Sequence, residues 1–519
     1  MRDEKIETLL SYAGNEHRYQ YFVLIIFFFL WMNCNFMAVV LPYLEREPLV
    51  KYIDEKNITH EGVSLTNDIC NKKYEISERF RYSWVSEFGF ECNQFKVGLI
   101  GVFTFLGNTL GSIAFSIVTK FLNYKKILLI SIVGFSISIF ICTLVNSKDN
   151  FYWILISLNF VGLFGNLLCY SSLFITEEIV SSRRRSTFSS IINTGYGFCG
   201  IMYTFIFKYV QNWRYDFYIL IGLTILLGVI IWIFIYDSPR IYINKKDEKT
   251  TLKILKGIAS FNGKQNEFIE EINSEEGEDL IKEIIQYNSG IDIGKITNDE
   301  DEKDSNNLLN NEDKNKIEEK ITACSNFKYP SLRYKFLILC VIWFGTRSTS
   351  NCIALSSKSL PGDYYFNIIF LFIFESISYN VAGFLINIKC LGRKRTLWAQ
   401  YFIITTIFIL LIFVDFSVNF KLILNFFARF CAAGIESVYW AYTLEVYPTP
   451  VRSTNFGINV TCGNIGSILS PMAFEYLPSW LFFLIFGILS IFHSFLIIFL
   501  PETVGKPMVE SIEELVNKQ

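Results

Sequence analysis

The sequence predicts an all-α membrane protein in which twelve transmembrane helices form two pseudo-symmetric six-helix bundles. Three observations predict this. The 519 residues are 51% hydrophobic and only 18% charged, with a mean hydropathy of +0.34, against roughly 25% charged residues in an average globular chain. The apolar residues gather into blocks of about twenty, the length a helix needs to cross a hydrocarbon core. Landmarks in the first half of the chain recur in the second. A soluble multidomain enzyme does not fit the first two observations. A transmembrane β-barrel does not fit either, because its strands show about ten residues of alternation rather than unbroken apolar runs. With 47 basic and 49 acidic residues and a net charge of −2, nothing points to a nucleic-acid partner.

The apolar blocks run over 20–44, 95–118, 126–145, 151–175, 188–210, 215–236, 335–357, 364–388, 396–414, 419–444, 454–474 and 479–500. In lipid the backbone must satisfy its own hydrogen bonds, so each block is expected as a helix. The first follows a polar segment and no small-residue cleavage site comes after it, which predicts a retained helix and not a removable signal. An even number of spans puts both termini on one side. Basic residues choose that side: Lys120, Lys125 and Lys126 follow the second block, Arg183, Arg184 and Arg185 the fourth, and Lys389, Arg393, Lys394 and Arg395 the eighth. The positive-inside rule then places both termini in the cytoplasm of a multi-pass protein of the plasma membrane or an endomembrane.

Two long polar segments interrupt the pattern. Residues 45–94 fall outside, where Asn57-Ile58-Thr59 is a glycosylation sequon and Cys70 and Cys92 can form a disulfide or remain as thiols; the bridge is the expectation. Asn459-Val460-Thr461 also fits the sequon but lies inside a span. Residues 241–334 form a cytoplasmic linker that separates an N-terminal unit, 1–240, from a C-terminal unit, 335–519. The stretch 264–321 is rich in Glu, Asp, Lys and Asn, and is expected to be largely disordered because it has little apolar surface to bury, with short helices at the edges of the linker. The other cysteines sit mostly in apolar blocks as small packing residues. Three scattered histidines and no Cys-x-x-Cys leave no basis for a metal site, and no cofactor is implied.

The repeat places Glu178 and Arg185 after the fourth block against Glu445 and Arg452 after the tenth, seven residues apart in both. Lys125-Lys126 matches Arg393-Lys394, and Asp237-Ser238-Pro239-Arg240 matches Pro501-Glu502-Thr503. A six-span unit repeated in parallel is a transporter architecture, with the substrate site between the halves near the midplane. Carboxylates and guanidinium groups flanking these loops, Glu177, Glu178, Arg184, Arg185, Arg393, Glu445 and Arg452, can pair in one state and separate in the other, as an inner gate requires. Part of this basic content also serves simply to anchor the loops.

These residues resemble the major facilitator superfamily and, more narrowly, the organic ion transporter branch of the solute carriers, which includes cation, anion and carnitine carriers. The fifty-residue outer insert, Trp213-Arg214, Asp237-Ser238-Pro239-Arg240, Tyr442-Thr443-Leu444-Glu445-Val446-Tyr447-Pro448-Thr449 with Arg452, Gly466-Ser467-Ile468-Leu469-Ser470-Pro471 and Pro501-Glu502-Thr503 carry the resemblance. The seventh block holds Trp343-Phe344-Gly345-Thr346 and lacks the paired glutamines of sugar carriers. The chain departs from the superfamily pattern where Asn123-Tyr124 replaces a Gly-Arg that Gly392-Arg393 retains.

Ionisable residues inside spans are site candidates, because an isolated charge there costs roughly 2.5–3.5 kcal/mol on insertion scales. Arg347, Glu375, Arg429 and Glu436 stand out. Glu375 and Arg429 are as readily read as a pair that holds helices together. Glu436, with Tyr439 one turn on, is read as a cradle for an organic cation. The eleventh-span position that the family often charges is Asn464, which can bond either sign of ligand. The resemblance thus implies a monomeric carrier in the lipid bilayer for small organic ions, cations or zwitterions favoured, working by alternating access. The alternatives are a sugar or other neutral-nutrient carrier on the same fold, and a transport-dead sensor.

Overall fold

The computed structural model describes residues 2–504, apart from 15, 55–57, 66, 79–82, 147–149, 182–183, 211, 287–329, 357–362, 389, 415–416 and 477–478. The first polar segment contains helix α1 (Arg2–Tyr12). The first apolar block is split into α2 (Arg18–Cys34) and α3 (Phe36–Leu44). The split has a local cause. The Asn35 side-chain amide donates to the Trp31 carbonyl at 2.8 Å, competing with the helix ladder.

Helices α6 (Gln94–Val118), α7 (Tyr124–Leu144), α8 (Phe151–Ile179), α9 (Arg185–Val210) and α10 (Trp213–Phe234) follow the next five blocks. After a stretch on the polar side, α15 (Pro330–Ser356), α16 (Tyr364–Leu385), α17 (Gly392–Phe413), α18 (Val418–Val446), α19 (Thr449–Tyr476) and α20 (Ser479–Ile497) follow the last six. Among the described residues, nine helices are long and apolar enough to cross a membrane. The others at apolar blocks are α9, α19 and α20. The first two carry many Ser, Thr and Asn residues, which dilute their hydropathy and which their seams use.

The longest seams run along α6–α8, α7–α8, α15–α19, α9–α16 and α6–α19. The last two join the N-terminal helices to the C-terminal ones. Small polar side chains bridge them: Ser112 and Thr461 hydroxyls are 2.7 Å apart, and the Asn380 amide donates to Thr194 Oγ1 at 2.8 Å. Small residues let helices approach closely in lipid, where no hydrophobic drive assembles them. At Gly107 a Cβ would lie 2.0 Å from the Asn159 carbonyl of α8, so only glycine fits.

Residues 45–94 are more ordered than their polar composition suggests. Strands β1 (Leu49–Ile53), β2 (Thr59–Ser64) and β3 (Tyr74–Glu78) form an antiparallel sheet in the order β2-β1-β3. Val50 pairs with Val63 on one side and Ile76 on the other. Val50, Leu65 and Ile69 make a small core, beside α4 (Asn67–Cys70), and Cys70 and Cys92 are joined across it with Cα atoms 5.6 Å apart. Helix α5 (Trp84–Phe88) docks on α10 through Trp84, whose ring meets Trp213 edge-on at 5.4 Å. Asn57, the sequon residue, lies outside the described residues.

Within the linker the described residues run to 286, and 287–321 lies outside them. Beyond α11 (Pro239–Asn244) and α12 (Glu248–Asn262), two more helices reach to residue 286: α13 (Gln265–Ile272) and α14 (Glu275–Gln286). Asp247 caps α12, its carboxylate accepting from Thr250 N at 3.1 Å; these bonds hold that carboxyl below the usual range. Phe268, Ile281 and Ile284 are buried, as are Ile6, Leu9 and Leu10 of α1. A few apolar residues at helical spacing give these otherwise charged helices a buried face.

Candidate functional site

Helical spacing aims the site residues. Arg347, Ser350 and Asn351 share one face of α15, Glu375 and Tyr379 one face of α16, and Arg429, Glu436 and Trp440 one face of α18. With Trp31 and Asn35 at the break of the first block, and Asn108, Asn166, Tyr170, Asn193, Tyr196, Asn464 and Ser467, they line a polar cavity between the N-terminal and C-terminal helices. Its volume is about 70 Å³, room for roughly five waters.

All four membrane charges meet here, as two ion pairs. Arg429 binds Glu375 at 2.8 Å and donates to the Ser350 carbonyl at 2.8 Å, while Tyr379 donates to Glu375 at 2.8 Å. This pair is sealed, with side-chain exposures of 5% and 1%. Arg347 binds Glu436 at 2.7 Å, and here the guanidinium is the more accessible partner, at 23% against 10%. The Arg347 guanidinium carbon lies 5.5 Å from the Trp440 ring and 5.9 Å from that of Trp343. Its Nε is buried without a hydrogen-bond partner, as are Nδ2 of Asn351 and both polar atoms of the Asn193 side chain. Asn464 also faces the cavity, its amide donating to the Asn108 carbonyl at 3.1 Å.

The cation cradle expected at Glu436 is not free, because Arg347 occupies that carboxylate. Tyr439 does not line the cavity. It is fully buried against Trp343, at 6.3 Å, and Tyr401, at 6.5 Å. Its neighbour Trp440 holds the place assigned to it. Trp440 meets Trp31 at 5.6 Å, Tyr170 at 5.9 Å, Trp343 at 5.3 Å and Phe456 at 5.5 Å, making an aromatic floor that both groups of helices build. At the opposite end Tyr43 stacks on Phe207 at 5.1 Å and on Tyr365 at 6.0 Å.

Behind the floor, Glu177, Glu178, Arg185, Arg240 and Arg452 line one small cavity, so the repeated landmarks share one end of the molecule. Matching bonds recur there. Arg185 Nε donates to the Val180 carbonyl and Arg452 Nε to the Tyr447 carbonyl, each five residues back and each at 3.2 Å. Arg393 forks onto Glu445 at 2.7 and 3.1 Å. Glu502 accepts from the backbone of Arg393 and Lys394, both at 3.0 Å, capping α17; Asp237 accepts from the Lys125 backbone at 3.4 Å. Where Asn123-Tyr124 is set against Gly392-Arg393, Tyr124 takes the place of Arg393. With Tyr124 there, Glu178 lacks the Arg fork that Glu445 has. Ser189 donates to Glu177. Arg184 lies apart, paired with Glu16 at 3.1 Å, and Glu7 of α1 reaches Arg185 at 3.3 Å and Arg240 at 4.0 Å.

The profile of the Major Facilitator Superfamily matches residues 23–471. Human "Organic anion transporter 3" is 25% identical over 365 residues, covering 67% of this chain, and the chain spans 58% of that transporter's length. "Solute carrier family 22 member 15-like" of Xenopus laevis is 23% identical over 494 residues, covering 94% of this chain and 91% of the relative. Human "Organic cation/carnitine transporter 2" is 25% identical, with 87% and 75% covered. Among solved structures, a proton:xylose symporter superposes with a TM-score of 0.64 at 13% identity, covering 96% of this chain and 99% of that one, a likeness of fold. The chain belongs to the Major Facilitator Superfamily.

Proposed function

We propose that the chain is a membrane carrier, not an enzyme, which moves small organic ions bearing a carboxylate or similar anionic group, zwitterions included, by alternating access. The observation that carries this reading is Arg347: half-engaged by Glu436, accessible from the cavity, with Nε unpartnered. A carboxylate can take a planar guanidinium in two-point fashion, and the unpaired amide of Asn351 adds a further donor. The ring faces of Trp31, Trp440, Tyr170 and Tyr196 suit an apolar body. A purely cationic solute would have to displace Arg347 from Glu436, which removes the reason for favouring cations. The cavity is small for an organic ion, so a substrate must enter while the aromatic contacts at one end are parted. Two six-helix bundles rocking about the α6–α19 and α9–α16 seams would part them in turn, with both termini in the cytoplasm and the paired charges near Arg452 and Glu445 re-forming each cycle.

Thermal unfolding of the purified protein with matched acid, zwitterion and cation ligands tests the ion class. A ligand that binds only the folded state stabilises it by mass action. Acids and zwitterions are expected to raise the melting temperature, and Arg347→Gln to abolish the shift. Stabilisation by cations alone, unchanged in Arg347→Gln, would overturn the reading.

A further inference from the structure

Asp216 lies in the first turn of α10, on the same face as Trp213 and Phe217, which sit three residues before it and one after. It has no exposed surface, and neither carboxylate oxygen has a hydrogen-bond partner. The other buried membrane carboxylates differ: Glu375 and Glu436 each hold an arginine. The surroundings are aromatic. Trp84 packs on Trp213 at 5.4 Å and on Phe217 at 6.1 Å, while Phe36 lies 5.3 Å from Phe217 and 4.4 Å from Tyr203. Two donors in this box, Trp84 Nε1 and Tyr203 Oη, are also buried without partners.

The titratable groups on the packed elements are few. Tyr203 and Cys199 come from α9, and Tyr203 meets Phe36, which packs on Phe217. From α5, Glu87 is bound to Arg214 at 2.8 Å. From α3, the Tyr43 hydroxyl is 2.8 Å from that of Thr204. Cys34 on α2 and Cys142 on α7 are buried thiols. Arg214, the cation of the same turn, is committed to Glu87, the Val145 carbonyl and Asn146. No cation among the described residues pairs with Asp216.

We propose that Asp216 is a proton-binding site which ties the docking of the outer segment α5 to pH. With its proton the carboxyl is neutral and compatible with the aromatic box. When it gives the proton to water, an anion without a cation is left in the aromatic box, and Trp84 must shift from Trp213 and Phe217 before water or the Trp84 Nε1 and Tyr203 Oη donors can solvate it. The bound species is a proton and not a metal cation, because the box is aromatic and its other unpartnered groups, Trp84 Nε1 and Tyr203 Oη, are donors. Asp216→Asn keeps the shape of the neutral acid and cannot ionise.

Infrared difference spectra of the reconstituted full chain, titrated from acid to alkaline pH, test this. A protonated-carboxyl band that disappears on alkalinisation in the wild type and is missing from Asp216→Asn is expected. The wild-type melting temperature should fall over the same titration, while that of Asp216→Asn stays level across it. Identical carboxyl bands in both proteins, or the same fall in melting temperature in both, would overturn the proposal.

Discussion

Arg429 and Glu375 illustrate what a charged residue in a membrane helix requires. Each is almost sealed from solvent, and together with Tyr379 and Ser350 they satisfy one another. Removing one partner of such a pair leaves an uncompensated buried charge, whereas replacing both with apolar residues of similar volume is often neutral or better. Arg429→Ala is therefore expected to cost about 3–5 kcal/mol of stability, and Arg429→Met combined with Glu375→Leu to recover most of it, as read by denaturant unfolding in a lipid-like environment. All four charges were visible in the sequence because a charge interrupting an apolar block is conspicuous. Their pairing was not, because it depends on how α15, α16 and α18 rotate about their own axes. The error at Tyr439 has the same origin: the cavity takes the residue four positions after Glu436, Trp440, and three positions on points at Trp343 and Tyr401. Asp216 was overlooked because, at the edge of its block beside Arg214, it reads as part of the polar flank.

At the scale of the element, apolar runs made the membrane helices legible to within a turn or so. The seams between them are set by single residues. Gly107→Ala would place a methyl 2.0 Å from the backbone of α8, and backbone cannot step aside as a side chain can. Overpacking of this kind typically costs about 1–3 kcal/mol, so a lower unfolding midpoint is expected. The sheet of β1, β2 and β3 was not legible: its strands are only 5 or 6 residues long, and their pairing is a matter of partners distant in sequence. The bridge between Cys70 and Cys92 closes a separation of 22 residues, which stabilises by about 3 kcal/mol in chain-entropy terms. Cys70→Ser with Cys92→Ser should speed proteolysis within residues 45–94 and spare the membrane helices. Composition alone did not fix the extent of α13 and α14, whose charges occupy exposed faces while Phe268, Ile281 and Ile284 are buried.

For the whole molecule, the repeat was the most informative feature of the sequence, because bonds made by Arg185 and Arg452, and by Asp237 and Glu502, recur with similar geometry at one end. What the sequence did not disclose was the aromatic floor of the central cavity, where Trp440 meets aromatic side chains from both groups of helices. In the proposed reading, Arg347 is the cavity group that meets the anionic part of a solute. Uptake of a radiolabelled organic carboxylate into liposomes containing the purified full chain tests this most directly. Saturable uptake that Arg347→Ala lowers by at least about tenfold, the equivalent of losing one charge-assisted contact of about 1.4 kcal/mol, is the predicted result. Uptake no greater than in empty liposomes for acids, zwitterions and cations alike, or saturable uptake that Arg347→Ala leaves unchanged, would contradict it.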